Sequence, residues 1–180
     1  MAWLLVTLFI SSSQCVVAQN NKAMQLYEKA IKTFREGNEE KGWDLLQKSM
    51  DKAEAPYYQP FIFAGDLQLK RGDYRSAVDY FEQSIAVQPV SIAFLKMSFA
   101  HKALYEWDQS IAAYEQYLNR AQLTTRRQEE ALAQLEQLKF AKSAYEAYVL
   151  DSSSIRFEKL SFSDEKMEST GNRASGTLPS

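Results

Sequence analysis

One histidine and one cysteine limit the chemistry available to this chain of 180 residues. A Ser-His-Asp or Cys-His arrangement would have to use His101 as its base, and no nucleophile or orienting acid is evident for it in the sequence. Cys15 has no second cysteine for an internal disulfide, and the two side chains are too few for a Cys/His zinc site. We predict that His101 is a packing residue and that the chain is not an enzyme, and we expect no metal or cofactor.

The acidic pairs and the overall charge exclude further functions. Glu39-Glu40 and Glu129-Glu130 are adjacent in sequence, so their carboxylates point to different faces of a helix, whereas glycoside hydrolysis needs facing carboxylates. The formal net charge is −2 and the basic residues are scattered. Because nucleic-acid binding needs a concentrated basic patch, we expect no nucleic acid as partner. No phosphate-binding loop or other ligand motif indicates a small-molecule substrate.

The N-terminus resembles a secretory signal peptide. An apolar run, AWLLVTLFI, precedes small and polar residues, and no charged residue occurs before Lys22. We predict a signal peptide over residues 1–18, a mature chain that begins at Gln19, and a location in the periplasm or at the outer membrane. The usual basic residue at the very start is missing. Lipidation at Cys15 and an uncleaved anchor or buried helix are the alternatives.

Three segments with a common pattern give the chain its organisation. They are NEEKGWDLLQKSM, DYRSAVDYFEQSI and EWDQSIAAYEQYL, and they start at Asn38, Asp73 and Glu106, 35 and then 33 residues apart. An amphipathic helical pattern precedes each segment. Glycine ends the first helix of the first two pairs, at Gly37 and Gly72, as a residue after a helix often does. The spacing predicts three helix-turn-helix units.

This pattern resembles the tetratricopeptide repeat (TPR), a helix pair of 34 residues that stacks into a solenoid. The second unit matches best, with small residues where paired helices cross and large ones beside them. The resemblance implies an all-α, TPR-type α-solenoid with units at about 23–56, 58–90 and 91–122 within residues 19–122. It also implies the packing residues Phe61, Ala64, Gly65, Ala77, Phe81, Pro89, Phe94, Ser98, Ser110 and Tyr114.

In TPR proteins, the first helix of each pair lines a concave face that commonly holds a peptide or a partner's helix. The resemblance therefore implies protein or peptide partners. Carried over to this sequence, the face comprises Tyr27, Ile31, Phe34, Gln59, Ile62, Asp66, Leu69, Lys70, Ile92, Leu95, Phe99 and Lys102. These residues are mainly apolar, which favours an apolar segment over an acidic tail clamped by lysines. Several of them could instead be core residues that touch the next unit.

The C-terminal third is predicted in two parts. Residues 123–150 show a long apolar stripe that favours a helix capping the last repeat, with a partner-binding helix as the alternative. Residues 151–180 are rich in serine and are expected to form an irregular tail or linker. The bridge and the motifs at Ile155–Phe157 and Thr177–Ser180 resemble the start of the propeller in Bacteroidetes envelope proteins that join TPRs to a β-propeller and an OmpA-like domain.

Two functions follow from these patterns. The first is an exported TPR scaffold that binds partners in the cell envelope. The alternative is the N-terminal module of a larger protein associated with the outer membrane or peptidoglycan, of which this chain would be a truncated part. An enzyme is a remote third possibility.

Overall fold

The computed structural model describes the backbone of residues 20–171 and the side chains of residues 20–152. All regular secondary structure in these residues is α-helical. The helices are α1 over residues 20–35, α2 (Glu39–Met50), α3 (Gln59–Arg71), α4 (Tyr74–Val87), α5 (Ser91–Ala103), α6 (Trp107–Arg120) and α7 (Thr125–Gly171). The predicted all-α architecture of three helix-turn-helix units and a long C-terminal helix is confirmed. The predicted signal peptide, residues 1–18, lies outside the described residues.

Polar N-caps fix where the second helix of each pair begins. The side chain of Asn38 accepts a hydrogen bond from the backbone N–H of Lys41, and that of Asp73 accepts one from Ser76. These bonds satisfy N–H groups that the first turn of a helix leaves without partners. Glu106 occupies the same position before α6 but makes no side-chain bond to that helix. All three aligned sequence segments therefore begin on the N-cap residue.

Small residues allow the paired helices to approach closely. A methyl group added at Gly65 would collide with the Phe81 ring, and one added at Gly42 would lie 2.9 Å from the Phe34 ring. In the third pair, the Ser110 hydroxyl donates a 2.9 Å hydrogen bond to the Ser98 carbonyl. The small residue there thus also has a hydrogen-bond partner for its buried hydroxyl.

The predicted packing residues are buried with one exception. Pro89 is exposed because it lies in the linker between α4 and α5, where it ends a helix rather than filling the core. The buried ones are Phe61, Ala64, Gly65, Ala77, Phe81, Phe94, Ser98, Ser110 and Tyr114.

Two apolar clusters form the core. The first joins α1, α2 and α3 around Leu46, Met50 and Phe61. The second joins α4 to α5 around Phe81 and Ala100. The second helix pair thus contributes to both clusters, because α3 belongs to the first and α4 to the second.

The C-terminal helix is longer than predicted. It continues through Gly171, so residues 151–171 are helical where an irregular tail was expected. The reason lies in the sequence: no glycine or proline occurs between Thr125 and Gly171, and serines alone weaken a helix without ending it. Ile155–Phe157 are therefore in a helix and not at the start of a strand. Residues 172–180 lie outside the described part, so the propeller resemblance there stays a prediction.

The chain divides into two compact units, one ending at Leu135 and one beginning at Glu136. In the second unit, helical neighbours form ion pairs, Lys139 with Glu136 at 3.1 Å and Lys142 with Glu146 at 3.7 Å. Large apolar side chains of this helix are exposed, among them Phe140. Within the described residues, no helix combines the length and the apolar character needed to cross a membrane.

Candidate binding site on the concave face

An open pocket of about 420 Å³ lies where α5 and α6 meet the first turns of α7. Helix α5 supplies two apolar side chains, α6 two tyrosines, the α6–α7 linker one leucine, and α7 the polar part. The lining residues are Leu95, Phe99, Tyr114, Tyr117, Leu123, Arg127, Glu130, Ala131 and Gln134. Two predicted concave-face residues, Leu95 and Phe99, are thus part of one concave site.

The aromatic part of the pocket is held rigidly. Tyr114 is almost fully buried, and its hydroxyl donates a 2.7 Å hydrogen bond to the Gln134 side-chain oxygen. Its ring meets that of Tyr117 edge to face at 5.5 Å. Burial, with a smaller effect of Tyr117, raises the pKa of Tyr114, so its phenol stays neutral and remains a donor. A fixed aromatic surface of this kind binds a partner with little loss of side-chain entropy.

The apolar wall is partly exposed to solvent. Phe99 is 48% exposed although it is a large aromatic residue, and Leu95 and Leu123 are half-buried. Ile92, which lies one turn before Leu95 on α5, is also exposed. An accessible apolar surface beside polar groups is the usual composition of a protein-binding pocket.

An ion pair connects two of the first helices, α3 and α5. The Lys96 ammonium on α5 lies 2.6 Å from the Asp66 carboxylate on α3, and both side chains are half-buried, at 25% and 30% exposure. Asp66 was predicted to contact a partner, but the structure pairs it within the chain. Lys70 and Lys102, also predicted for this face, are exposed.

The first pair contributes less to the site than the sequence suggested. Phe34 packs edge to face against Trp43 and Phe63 at 5.8 and 5.7 Å, and Tyr27 packs against Tyr57 and Phe63. Burial, and then Tyr27 and Glu28, raise the pKa of Tyr57 to about 12. These aromatic residues form core contacts because the first helices of neighbouring units touch there.

Two more predicted contact residues, Ile62 and Leu69, are half-buried and pack on the second apolar cluster, most of which belongs to α4 of the same pair. Ile31 and Gln59 are half-buried. The Gln59 side-chain oxygen is buried and has no hydrogen-bond partner among the described residues. Of the residues predicted for the concave face, the exposed ones are therefore Lys70 on α3 and Ile92, Phe99 and Lys102 on α5.

His101 has a structural role. It is 8% exposed, and its Nδ1 lies 2.7 Å from the Glu106 carboxylate, whose other oxygen lies 2.6 Å from the Arg75 guanidinium. These hydrogen bonds, that of His101 first and that of Arg75 second, lower the pKa of Glu106. The three side chains connect α4 to the α5–α6 turn. No group of His, Cys, Asp and Glu side chains in the described residues could hold a metal ion.

Sequence reasoning missed the part of the site that α7 supplies. Arg127, Glu130 and Gln134 were assigned to a cap, and Tyr117 and Leu123 were not singled out. A signal was available: α7 follows α6 as α5 follows α4, so its first turns take the chain position of a further first helix.

Comparison with solved structures identifies the fold. The chain is similar to the structure titled first TPR of Spaghetti (RPAP3) bound to HSP90 peptide SRMEEVD, with a TM-score of 0.56 and 21% identity. The similarity covers 69% of this chain and 95% of that one. No protein-family model matches the chain, and no curated protein matches it. The chain therefore has the TPR fold.

Proposed function

We propose that this protein is a scaffold that binds a protein or peptide partner through the concave pocket between α5 and α7. The observation that carries the proposal is the accessible apolar wall of Leu95 and Phe99 beside a rigid aromatic floor. The TPR fold supports it, and the structurally similar TPR of Spaghetti is itself bound to a peptide. The apolar wall favours an apolar partner segment over a purely acidic one.

Site-specific photo-crosslinking tests the binding site. A photoreactive phenylalanine analogue at Phe99 is expected to give a discrete adduct in cells, because the side chain faces the pocket. The same analogue at Glu82, an exposed residue of α4, serves as the control. The additional change Leu95→Glu should abolish the adduct at Phe99 by placing a charge in the apolar wall. Equal adducts from both positions, or adducts unaffected by Leu95→Glu, would contradict the proposal.

We further propose that the scaffold works after export, in the periplasm or in a complex at the outer membrane or peptidoglycan. The apolar run and small residues before Gln19 support this location. Intact-mass measurement and fractionation of the protein expressed from its own start should give a mature species that begins at Gln19. A full-length species in the cytosol would exclude export and leave the binding proposal intact for a cytosolic adaptor.

A further inference from the structure

We infer that the pocket between α5 and α7 selects partner segments in which an apolar side chain lies next to a carboxylate side chain, and that Arg127 recognises the carboxylate. This inference rests on the proposed function and specifies the chemistry of the partner.

Arg127 is placed where a helix does not favour a positive charge. It is the third residue of α7, and the N-terminal turn of a helix carries the positive end of the helix dipole. A cation there lowers helix stability, whereas an anion would raise it. A residue that is locally unfavourable yet lines a pocket is a candidate for a functional role.

Arg127 makes no ion pair among the described residues, whereas the arginine before it does. Arg126, the residue before it, places its Nε 2.9 Å from the Glu130 carboxylate. Glu130 also lines the pocket, so its charge is already compensated there. Among the described residues, Arg127 has no ion-pair partner. With Glu130 engaged by Arg126, the unpaired guanidinium of Arg127 and the helix terminus both favour an anion.

The apolar side of the same pocket binds the apolar side chain of the partner segment. Phe99 is half exposed, and Leu95 and Leu123 stand beside it. Burial of an apolar side chain against this wall supplies affinity, whereas a guanidinium at an exposed rim contributes mainly selectivity. A partner with the carboxylate alone would leave the wall exposed to water, and one with the apolar group alone would leave Arg127 without an anion.

Matched peptides test the inference on the full-length protein. Two sets of short synthetic peptides carry the same central Leu or Phe, flanked in one set by Glu and in the other by Lys. Both peptide termini are blocked, so that the only carboxylates a peptide offers to the protein are those of its side chains. Fluorescence anisotropy at low salt should show that the wild type binds the Glu set about tenfold more tightly than the Lys set. The preference should shrink as salt is added, because the charge is exposed.

Charge reversal assigns the preference to one residue. Arg127→Glu should reverse the order of the two sets, whereas Lys52→Glu, an equal change in net charge at an exposed position outside the pocket, should leave it unchanged. Arg127→Glu should melt no lower than the wild type, since it improves the helix terminus, so a change in binding would not reflect unfolding. Phe99→Ala should weaken binding of both sets.

The outcomes separate the inference from the proposed function. If wild-type protein binds neither set, both are overturned for this pocket. If peptides bind and Phe99→Ala weakens them, but the Glu and Lys sets bind equally or Arg127→Glu has the effect of Lys52→Glu, the binding function stands and the role of Arg127 is overturned.

Discussion

At the scale of the residue, the three intra-pair turns use the same backbone conformation with different side chains. The residues at these positions have positive φ angles: 83° at Gly37, 77° at Gly72 and 59° at Tyr105. Tyr105 lies 33 residues after Gly72, so it occupies the glycine position of the third turn. Its ring is 62% exposed and meets that of Trp107 edge to face. Left-handed backbone costs about 1–2 kcal/mol for a residue with a Cβ atom.

Two substitutions at Tyr105 separate backbone strain from side-chain contacts. Both Tyr105→Gly and Tyr105→Ala remove the ring, but only glycine removes the Cβ atom that opposes positive φ. We expect the glycine variant to have a free energy of unfolding about 1 kcal/mol higher than the alanine variant in denaturant titrations. Gly72→Ala should lose about the same amount, because its Cβ would meet no atom within 4 Å and only strain would oppose it. Equal stabilities for the two Tyr105 variants would contradict this explanation.

At the scale of the helix, close crossings and a charged connection hold the pairs together. Gly65 brings α3 against Phe81 of α4, and Ser98 brings α5 against Ser110 of α6. Neither crossing would form with a large side chain at the small position, because protein interiors are close-packed and a collision must displace the backbone. Small residues therefore recur along the sequence at the positions where paired helices come close together.

Gly65→Ala tests the closest crossing. The added methyl group would collide with the fully buried Phe81 ring, and such overpacking should lower the free energy of unfolding by about 1–3 kcal/mol. Phe81→Leu, which is destabilising alone, should partly compensate, so that the double variant loses less than the sum of the single losses. Additive losses in a double-mutant cycle would show that the two side chains do not compete for this space.

The contacts of Glu106 with Arg75 and His101 should make the stability of the protein depend on pH. The pKa of Glu106 is lowered in the folded state from an ordinary value of 4.5, so its stabilising effect is present above that value and is lost as pH falls through the folded pKa. Wild type should exceed Glu106→Gln in melting temperature near neutral pH, and the difference should shrink below about pH 4.5. Thermal melts across this range measure it. A difference independent of pH would mean that the carboxylate charge is not what stabilises the turn.

At the scale of the whole molecule, stability should be shared unequally between the helix pairs. The second pair contributes Phe61 to the first apolar cluster and Phe81 to the second, whereas Leu46 of the first pair belongs to one cluster only. In stacked repeats, a unit with neighbours on both sides is stabilised by two interfaces. The helices of the second pair should therefore open last.

Hydrogen exchange distinguishes central from terminal pairs. Phe81→Ala should lower the free energy of unfolding by about 3–5 kcal/mol and speed amide exchange in all three pairs. Leu46→Ala, also at a fully buried side chain, should speed exchange mainly in α1, α2 and α3. Mass spectrometry of deuterated peptides reports both patterns. Identical patterns for the two variants would indicate a single cooperative unit without such a hierarchy.

The fold was largely predictable because its determinants are local. The period of the repeats, Asn38 and Asp73 as caps, and the glycines of the first two turns all act within a few residues of the helix ends that they define. The end of α7 was predicted wrongly at residue 150 because serine-rich composition was taken as a stop signal, although no glycine or proline precedes Gly171.

The sequence by itself therefore determined the number and order of the helices, since hydrophobic periodicity, capping and turn chemistry are properties of short segments. Only the tertiary structure decided which first-helix residues remain accessible: Phe34 is packed against its neighbours, Asp66 is paired with Lys96, and Phe99 is exposed. It also decided that Arg127 lines the pocket. The physical reason is that the exposure of a side chain depends on residues distant in sequence, which periodicity within one helix does not specify.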